Sequence, residues 1–229
     1  MSNAREARLM LRAHRYGALS TLSKKFGGHP FGSITPYLVD HDGSLLILIS
    51  SLAEHTKNIQ HDARVSLITH DQRDPHIQTQ GRVTVLGNAS QEPNRERAGL
   101  RYLRYFPEAQ TYLGMHDFSF YRIQPVAIRY IGGFGKIHWV DMEHYATAQA
   151  GQFAQQEEKL LTEINTMRQS MLCLLLRQQH NIDAANVLAI GLDCDGLDVL
   201  YDERVWRLDF AEAASSPSLD ALASSKMGG

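Results

Sequence analysis

Within SSLAEHTKNIQ, two serines, a histidine, a threonine, a lysine and an asparagine stand close together, at Ser50, Ser51, His55, Thr56, Lys57 and Asn58. Hydroxyls, an imidazole and an ammonium group at that spacing suit the holding of an anion. The apolar run LLILI precedes them and ARVSLIT follows, so the sequence predicts a strand, a turn and one short helix. A helix that starts after a strand leaves its first N–H groups unpaired, and the partial positive charge at that end favours a negative group there. Leu52 and Ile59 are expected to face the core with Thr56 on their side, and His55, Lys57 and Asn58 fan outwards around it. Spacing alone leaves a second reading open, in which Ser51 is an ordinary N-cap and Lys57 a solvated charge.

The elements that must position these residues follow from the surrounding pattern. Ala7, Met10, Leu11 and His14 recur at helical spacing, predicting an amphipathic helix that ends near Tyr16 and lids a core. Short strand-like runs follow, GALSTL, FGSITPYLVD and SLLILIS, with a GG turn and an HDG turn at His41–Gly43 between them. After the short helix come ARVSLIT and HIQTQGRVTVLGNAS, then a helical insertion opened by EPNRERAGLRYLRYFPEAQ, then FSFYRIQPVAIRYIGGFGKIHWV, again of strand composition. Short strands joined by turns close most easily into a small barrel. Past Tyr145 the composition turns small and polar, which predicts a boundary between residues 1–145 and a second domain over residues 155–229. There, Leu160, Ile164, Met167, Met171, Leu174 and Leu175 predict one long helix with an apolar stripe. Three strands with a DCDG turn and a final weak helix in SPSLDALASSK complete an α-β-β-β-α order. The fold class read here is α+β.

Composition excludes several function classes. A net charge of −2 over 229 residues gives no broad field for nucleic acid or an anionic membrane. The chain has no run near the about 20 apolar residues of a membrane span, the arginines spread through its opening residues argue against a secretory signal, and its two cysteines, Cys173 and Cys194, form no C-x-x-C pair, so a cytoplasmic protein is expected. Of the 11 histidines, His138 and His144 lie near Asp141 without a known zinc spacing, so no metal site is assigned. GGFGK, Gly132 to Lys136, gives backbone freedom that suits close approach to a planar ligand and equally a plain bulge or turn. No nucleophile elbow, P-loop or H-E-x-x-H occurs, and no residue stands out as a general acid or base.

The order GSITPYLVDHDGSLLILISSLAEHTKNIQHDARVSLIT resembles the flavin-binding core of the pyridoxamine 5'-phosphate oxidase-like split barrels, most closely their haem-utilisation (HugZ-type) branch. GGFGKIHWV resembles that branch's glycine-rich strand ending, and VLAIGLDCDGLDVLYDERVWRLDF the small domain of unassigned function often fused to it. The resemblance implies an antiparallel FMN-binding split β-barrel, assembled as a homodimer with FMN at the subunit interface and acting as an oxidoreductase on a small-molecule substrate. It assigns Ser50, Ser51, His55, Thr56 and Lys57 to the phosphate and ribityl group, and lays Thr35, Pro36 and Tyr37 along the flavin ring. Arg82 stands where the oxidases carry a glutamine near the flavin, and Lys136 and Trp139 border the other half of the site. It implies two alternatives as well: haem binding or degradation, with His138, His144 and His180 as candidate iron ligands, and a non-enzymatic interaction module of tetrapyrrole metabolism. The departure from the branch is EINTMRQS, which keeps Asn165 of a helix that reads close to HMNxDH in many relatives but neither of its histidines.

Overall fold

The computed structural model of the chain describes residues 2–71, 80–133 and 136–217. Two compact units divide it, Met1–Ala146 and Thr147–Gly229.

The first unit opens with α1 (Asn3–Ala13), whose Ser2 cap accepts the Arg5 N–H at 3.3 Å. Ala7 and Leu11 are fully buried, so α1 lids the sheet as its spacing predicts. It also buries Arg8, whose guanidinium donates to the carbonyls of His144 and Tyr145 at 3.0 and 3.2 Å. The strands β1 (Tyr16–Leu22), β2 (Pro30–Pro36), β3 (Leu38–Val39) and β4 (Leu45–Ser50) come next, then α2 (Glu54–His61), β5 (Arg64–His70) and β6 (Gly81–Gln91). The helical insertion is α3 (Arg95–Tyr105), a 3₁₀ turn over Pro107–Ala109 and α4 (Gln110–Leu113). The long β7 (Phe118–Gly132), β8 (Ile137–Trp139) and α5 (Met142–Tyr145) complete the unit.

All pairings are antiparallel, in the order β2-β1-β5-β6-β7-β4-β3, with β8 added on β7. The single strand expected over FGSITPYLVD is two, because the backbone leaves the ladder at Tyr37. That break shapes the sheet: β2 and β3 lie at opposite ends of the strand order, yet only Tyr37 separates them in sequence, so the sheet has to curl. Tyr37 is fully buried in the resulting core, its hydroxyl donating to Leu11 O at 2.8 Å and its N–H to Arg15 O at 2.9 Å. The HDG turn forms as read: Gly43 sits at φ 83°, and a Cβ there would lie 2.5 Å from the Tyr145 ring. Pro125 is tolerated inside β7 because the register shifts there, opposite Leu86 and Gly87.

Behind that turn lies a buried charge cluster. Arg122 pairs with Glu92 at 2.6 Å and Asp40 at 2.9 Å, and Asp40 also accepts the His41 N–H at 2.8 Å. Arg101 of α3 reaches the same hairpin, donating to Val39 O at 2.9 Å. Burial alone would raise the Asp40 carboxyl, but the His41 hydrogen bonds and the Arg101 and Arg122 guanidiniums outweigh it and hold it well below the usual carboxylate range.

In the second unit the one long helix of the sequence reading is two, α6 (Ala150–Met167) and α7 (Gln169–His180), since the backbone leaves helical angles at Arg168 (φ −128°, ψ 21°). The break shifts the phase of the stripe: Leu160, Ile164, Leu172 and Leu175 are buried, while Met167 and Leu174 are 67% and 54% exposed. β9 (Leu188–Asp193), β10 (Gly196–Tyr201) and β11 (Arg204–Asp209) form an antiparallel sheet in the order β11-β10-β9. Asn165 ties α6 to β9, exchanging hydrogen bonds with the Ala189 carbonyl at 2.9 Å and N–H at 2.8 Å. Arg207 is buried against Asp193 at 2.7 Å and Asp198 at 3.2 Å. The final helix expected over SPSLDALASSK falls mostly on residues 218–229, outside the described residues.

Candidate functional site

The turn between β4 and α2 differs in detail from its sequence reading. The helix begins at Glu54 and its N-cap is Ala53, which offers no side-chain hydrogen bond, so Ser51 is not the cap. Three residues, Ser51 to Ala53, are used to turn the corner, and Leu52 is consequently 73% exposed rather than in the core. Ile59 and Thr56 do face inwards, at 4% and 1% exposure. The Ser50 hydroxyl donates a short hydrogen bond to the Asp117 carboxylate and accepts the Leu52 N–H at 3.1 Å, while the Ser51 N–H donates to Asp117 O at 2.7 Å. A carboxylate therefore braces the turn from the β7 side. Sequence reading missed Asp117, which lies 67 residues from Ser50 and carries no local signal.

The amino end of α2 is uncapped and polar atoms near it lack partners. Thr56 Oγ1 and His55 Nε2 are both buried without a hydrogen bond among the described residues. Burial pushes the His55 pKa below the ordinary histidine value, which favours the neutral ring. Native proteins pair nearly all buried polar atoms, so two orphans in adjacent residues call for a partner, which a water or a ligand can supply. Lys57 is exposed beside them. Asn58, by contrast, is structural: fully buried, its side chain donates to Thr21 Oγ1 at 3.0 Å and accepts the Lys24 N–H at 2.9 Å.

That last bond holds the β1–β2 loop against α2. Between them opens a concavity of about 480 Å³ lined by Lys24, Lys25, Glu54, Lys57, Gln60 and His61. Sequence reading passed over Lys24 and Lys25 as part of a glycine turn, although a doubled lysine before GG is a visible signal.

The remaining residues assigned by resemblance lie elsewhere. β5 carries the chain from the α2 end of the sheet to His70, which pairs with Arg82, so seven strand residues, about 20 Å, separate Arg82 from the α2 group. Thr35 is buried and its hydroxyl donates to Pro36 O at 3.2 Å; Pro36 is exposed and paired with Tyr16; Tyr37 has no surface left for a ligand. Lys136 is exposed, 3.7 Å from Glu6. Trp139 is 60% exposed, with the Arg129 guanidinium 5.1 Å above its ring. One chain thus brings Ser50, Ser51, His55, Thr56 and Lys57 together and holds the others at the far end of the sheet. Phe134 and Gly135 of GGFGK lie outside the described residues.

The far end belongs to an apolar outer surface. Register aligns Ile34, Ala18, Ile68, Thr84, Arg129 and Trp139 in one row across the sheet, on the face opposite the core. Ile34 is 67% exposed, and Tyr16, Val126 and Ile137 add further exposed apolar surface on this sheet.

Among the other histidines, His180 is engaged, with Nε2 2.7 Å from Arg207 O and the ring against Trp206. His144 Nδ1 lies 2.8 Å from Asp141 on the surface, an arrangement that fixes the ring and leaves Nε2 outward. His138 sits on β8 opposite Tyr130, half-buried. Among the described residues the one cluster of potential ligand atoms, Asp193, Cys194 and Asp195, is buried, and Asp193 is already taken up by Arg207. Among the described residues no helix is long and apolar enough to cross a membrane.

A curled antiparallel barrel with a lidding helix and a polar strand–helix turn defines a class, and comparison with known proteins places the chain in it. Residues 1–147 match the CREG β-barrel family, and the chain belongs to that family. It is 31% identical over 205 residues to the chloroplastic non-canonical heme oxygenase HOZ of Arabidopsis thaliana, covering 87% of this chain and 63% of that protein. It therefore spans less than two thirds of that relative's length. Among solved structures, a protein of unknown function from Agrobacterium tumefaciens superimposes with a TM-score of 0.79 at 24% identity, covering 96% of this chain and 91% of the other. A heme binding protein from Mycobacterium smegmatis does so with a TM-score of 0.60 at 25% identity, covering 98% and 94%. Two of these three proteins, those of Arabidopsis and Mycobacterium, are named for haem.

Proposed function

We propose that the protein binds haem. The observation that carries the reading is the amino end of α2, where an uncapped helix end and Thr56 Oγ1 and His55 Nε2 adjoin the exposed cation of Lys57, all three without a partner among the described residues. Such a constellation suits a cofactor that brings its own hydrogen-bonding anionic groups. Flavin and haem both qualify, and the choice of haem is supported by the relatives named for haem chemistry. Haem, when bound, supplies a redox-active iron; the chain supplies anion contacts, an apolar wall and an imidazole. His144, oriented by Asp141, is the best-prepared of the histidines named from the sequence to give that imidazole; it lies beside α1, where Arg8 holds its carbonyl, so it would serve a haem at α2 from a second copy.

We further propose a homodimer packed through the apolar outer face of the sheet. Within one chain Arg82, Lys136 and Trp139 are too far from α2 to share a ligand with it, and a second copy is the simplest source of the missing wall. The FMN reading is kept as second, because a helix end with a threonine hydroxyl and a lysine also suits a flavin phosphate.

Adding haem to the purified protein is expected to give a saturable Soret band at micromolar protein, and His144→Ala is expected to shift it. A flat titration accompanied by quenching of FMN fluorescence would replace haem by flavin. Two flat titrations remove the cofactor reading altogether.

A further inference from the structure

We propose that the concavity between the β1–β2 loop and α2 is a binding site for a doubly anionic group, a pair of carboxylates or a phosphate. The identity of its natural ligand rests on the cofactor reading above; the site itself rests on independent observations. Three lysines, Lys24, Lys25 and Lys57, meet a single acid, Glu54, around about 480 Å³, a volume in the range of small-ligand pockets. The whole chain is slightly acidic, so this local excess of positive charge is not a background property. None of the three lysines has an ion-pair partner among the described residues; Lys25 only rests over the Phe26 ring at 5.2 Å. Cations gathered around one hollow repel each other, and an anion placed between them relieves that repulsion.

The backbone that carries these cations is also held in place. Glu54, Lys57 and His61 recur at i, i+3 and i+7 on one face of α2. On the other wall, the buried Asn58 accepts the Lys24 N–H, and the loop is braced by Gly28 N–H to Ser23 O at 2.8 Å and Phe26 N–H to Ser23 Oγ at 3.1 Å. A loop fixed by a buried amide presents its lysines without first having to be ordered, which favours binding. Gln60, whose amide nitrogen already donates to the Tyr121 hydroxyl at 3.3 Å, keeps a second N–H for the same anion.

Two ligands carry the required chemistry: haem with its two carboxylates and FMN with its phosphate. The test compares each with its neutral counterpart, haem with haem dimethyl ester in matched dilute detergent and FMN with riboflavin, on the full chain and on a Lys24→Glu/Lys25→Glu variant. The charged member of whichever pair binds is expected to bind at least tenfold tighter than its neutral counterpart. In the variant that preference is expected to disappear, while the neutral counterpart's affinity and the melting curve stay as they were. Equal affinities for charged and neutral members, or a preference that survives in the variant, overturn the site while leaving haem or flavin binding intact. If neither cofactor binds, the cofactor reading falls, and pyrophosphate decides the site alone. Saturable shifts of the Lys24, Lys57 and His61 amide resonances that vanish in the variant support it, and their absence overturns it.

Discussion

At the scale of single residues, His55 and Thr56 carry most of the functional meaning. Both were readable as candidates because they stand one after the other at the start of a short helix, but that their polar atoms lack partners among the described residues became visible only in three dimensions. Ser50 and Ser51 show the converse. Their hydroxyl and N–H groups looked available in sequence, yet Asp117 from a distant loop claims them. His55 gives a direct readout. Burial lowers its pKa in the folded chain relative to the unfolded one, so the stability linked to the neutral ring is fully present above the unfolded value of about 6.5 and is lost as pH falls through the folded value. An anion seated at the helix end stabilises the charged ring and reverses the shift. NMR titration of the free protein is expected to put His55 below about 6.5, and saturation with the cofactor to raise it. An unmoved midpoint would mean that the anion sits elsewhere.

At the scale of elements, the helix–strand order was largely legible, since period-2 alternation, β-branched runs and glycine turns mark strands locally. The boundaries that failed were set by tertiary contacts. Tyr37 interrupts a strand because its side chain is drawn into the core towards α1, and Leu52 leaves the core because the chain needs three residues to turn into α2. Arg168 breaks what periodicity alone read as continuous. The β3–β4 hairpin likewise depends on a partner that no local pattern reveals, the guanidinium of Arg122 from β7. Because the Asp40 carboxyl is held below its unfolded value, its contribution is fully present above about pH 4 and is lost progressively as pH falls further. Asp40→Asn is expected to cost about 3 kcal/mol at pH 7, with the gap to the parent narrowing towards pH 2.5. Urea unfolding at the two pH values measures both quantities, and a gap that stays constant would assign the cost to packing instead of charge.

At the scale of the molecule, the proposed homodimer uses the outer face of the sheet to join the two halves of the candidate site. The separation of about 20 Å along β5 could not be read from sequence, because register follows from pairing partners distant in the chain. The proposed homodimer makes a simple prediction. Light scattering after size exclusion is expected to give twice the chain mass, and Ile34→Asp or Trp139→Asp, each placing a carboxylate in the exposed row, is expected to give monomer with unchanged far-ultraviolet circular dichroism. A monomeric parent protein would remove the second copy from the site.

The seam at Tyr37 bears on how the chain is made. β4, the run LLILIS, has only the two-residue β3 on one side and must wait for β7 on the other, since Leu45 pairs with Ile123 and Ser50 with Phe118. A ribosome therefore has to release roughly seventy further residues before this apolar strand is covered. Until then a greasy, unpaired edge is on offer to neighbouring nascent chains, the circumstance in which aggregation competes with folding.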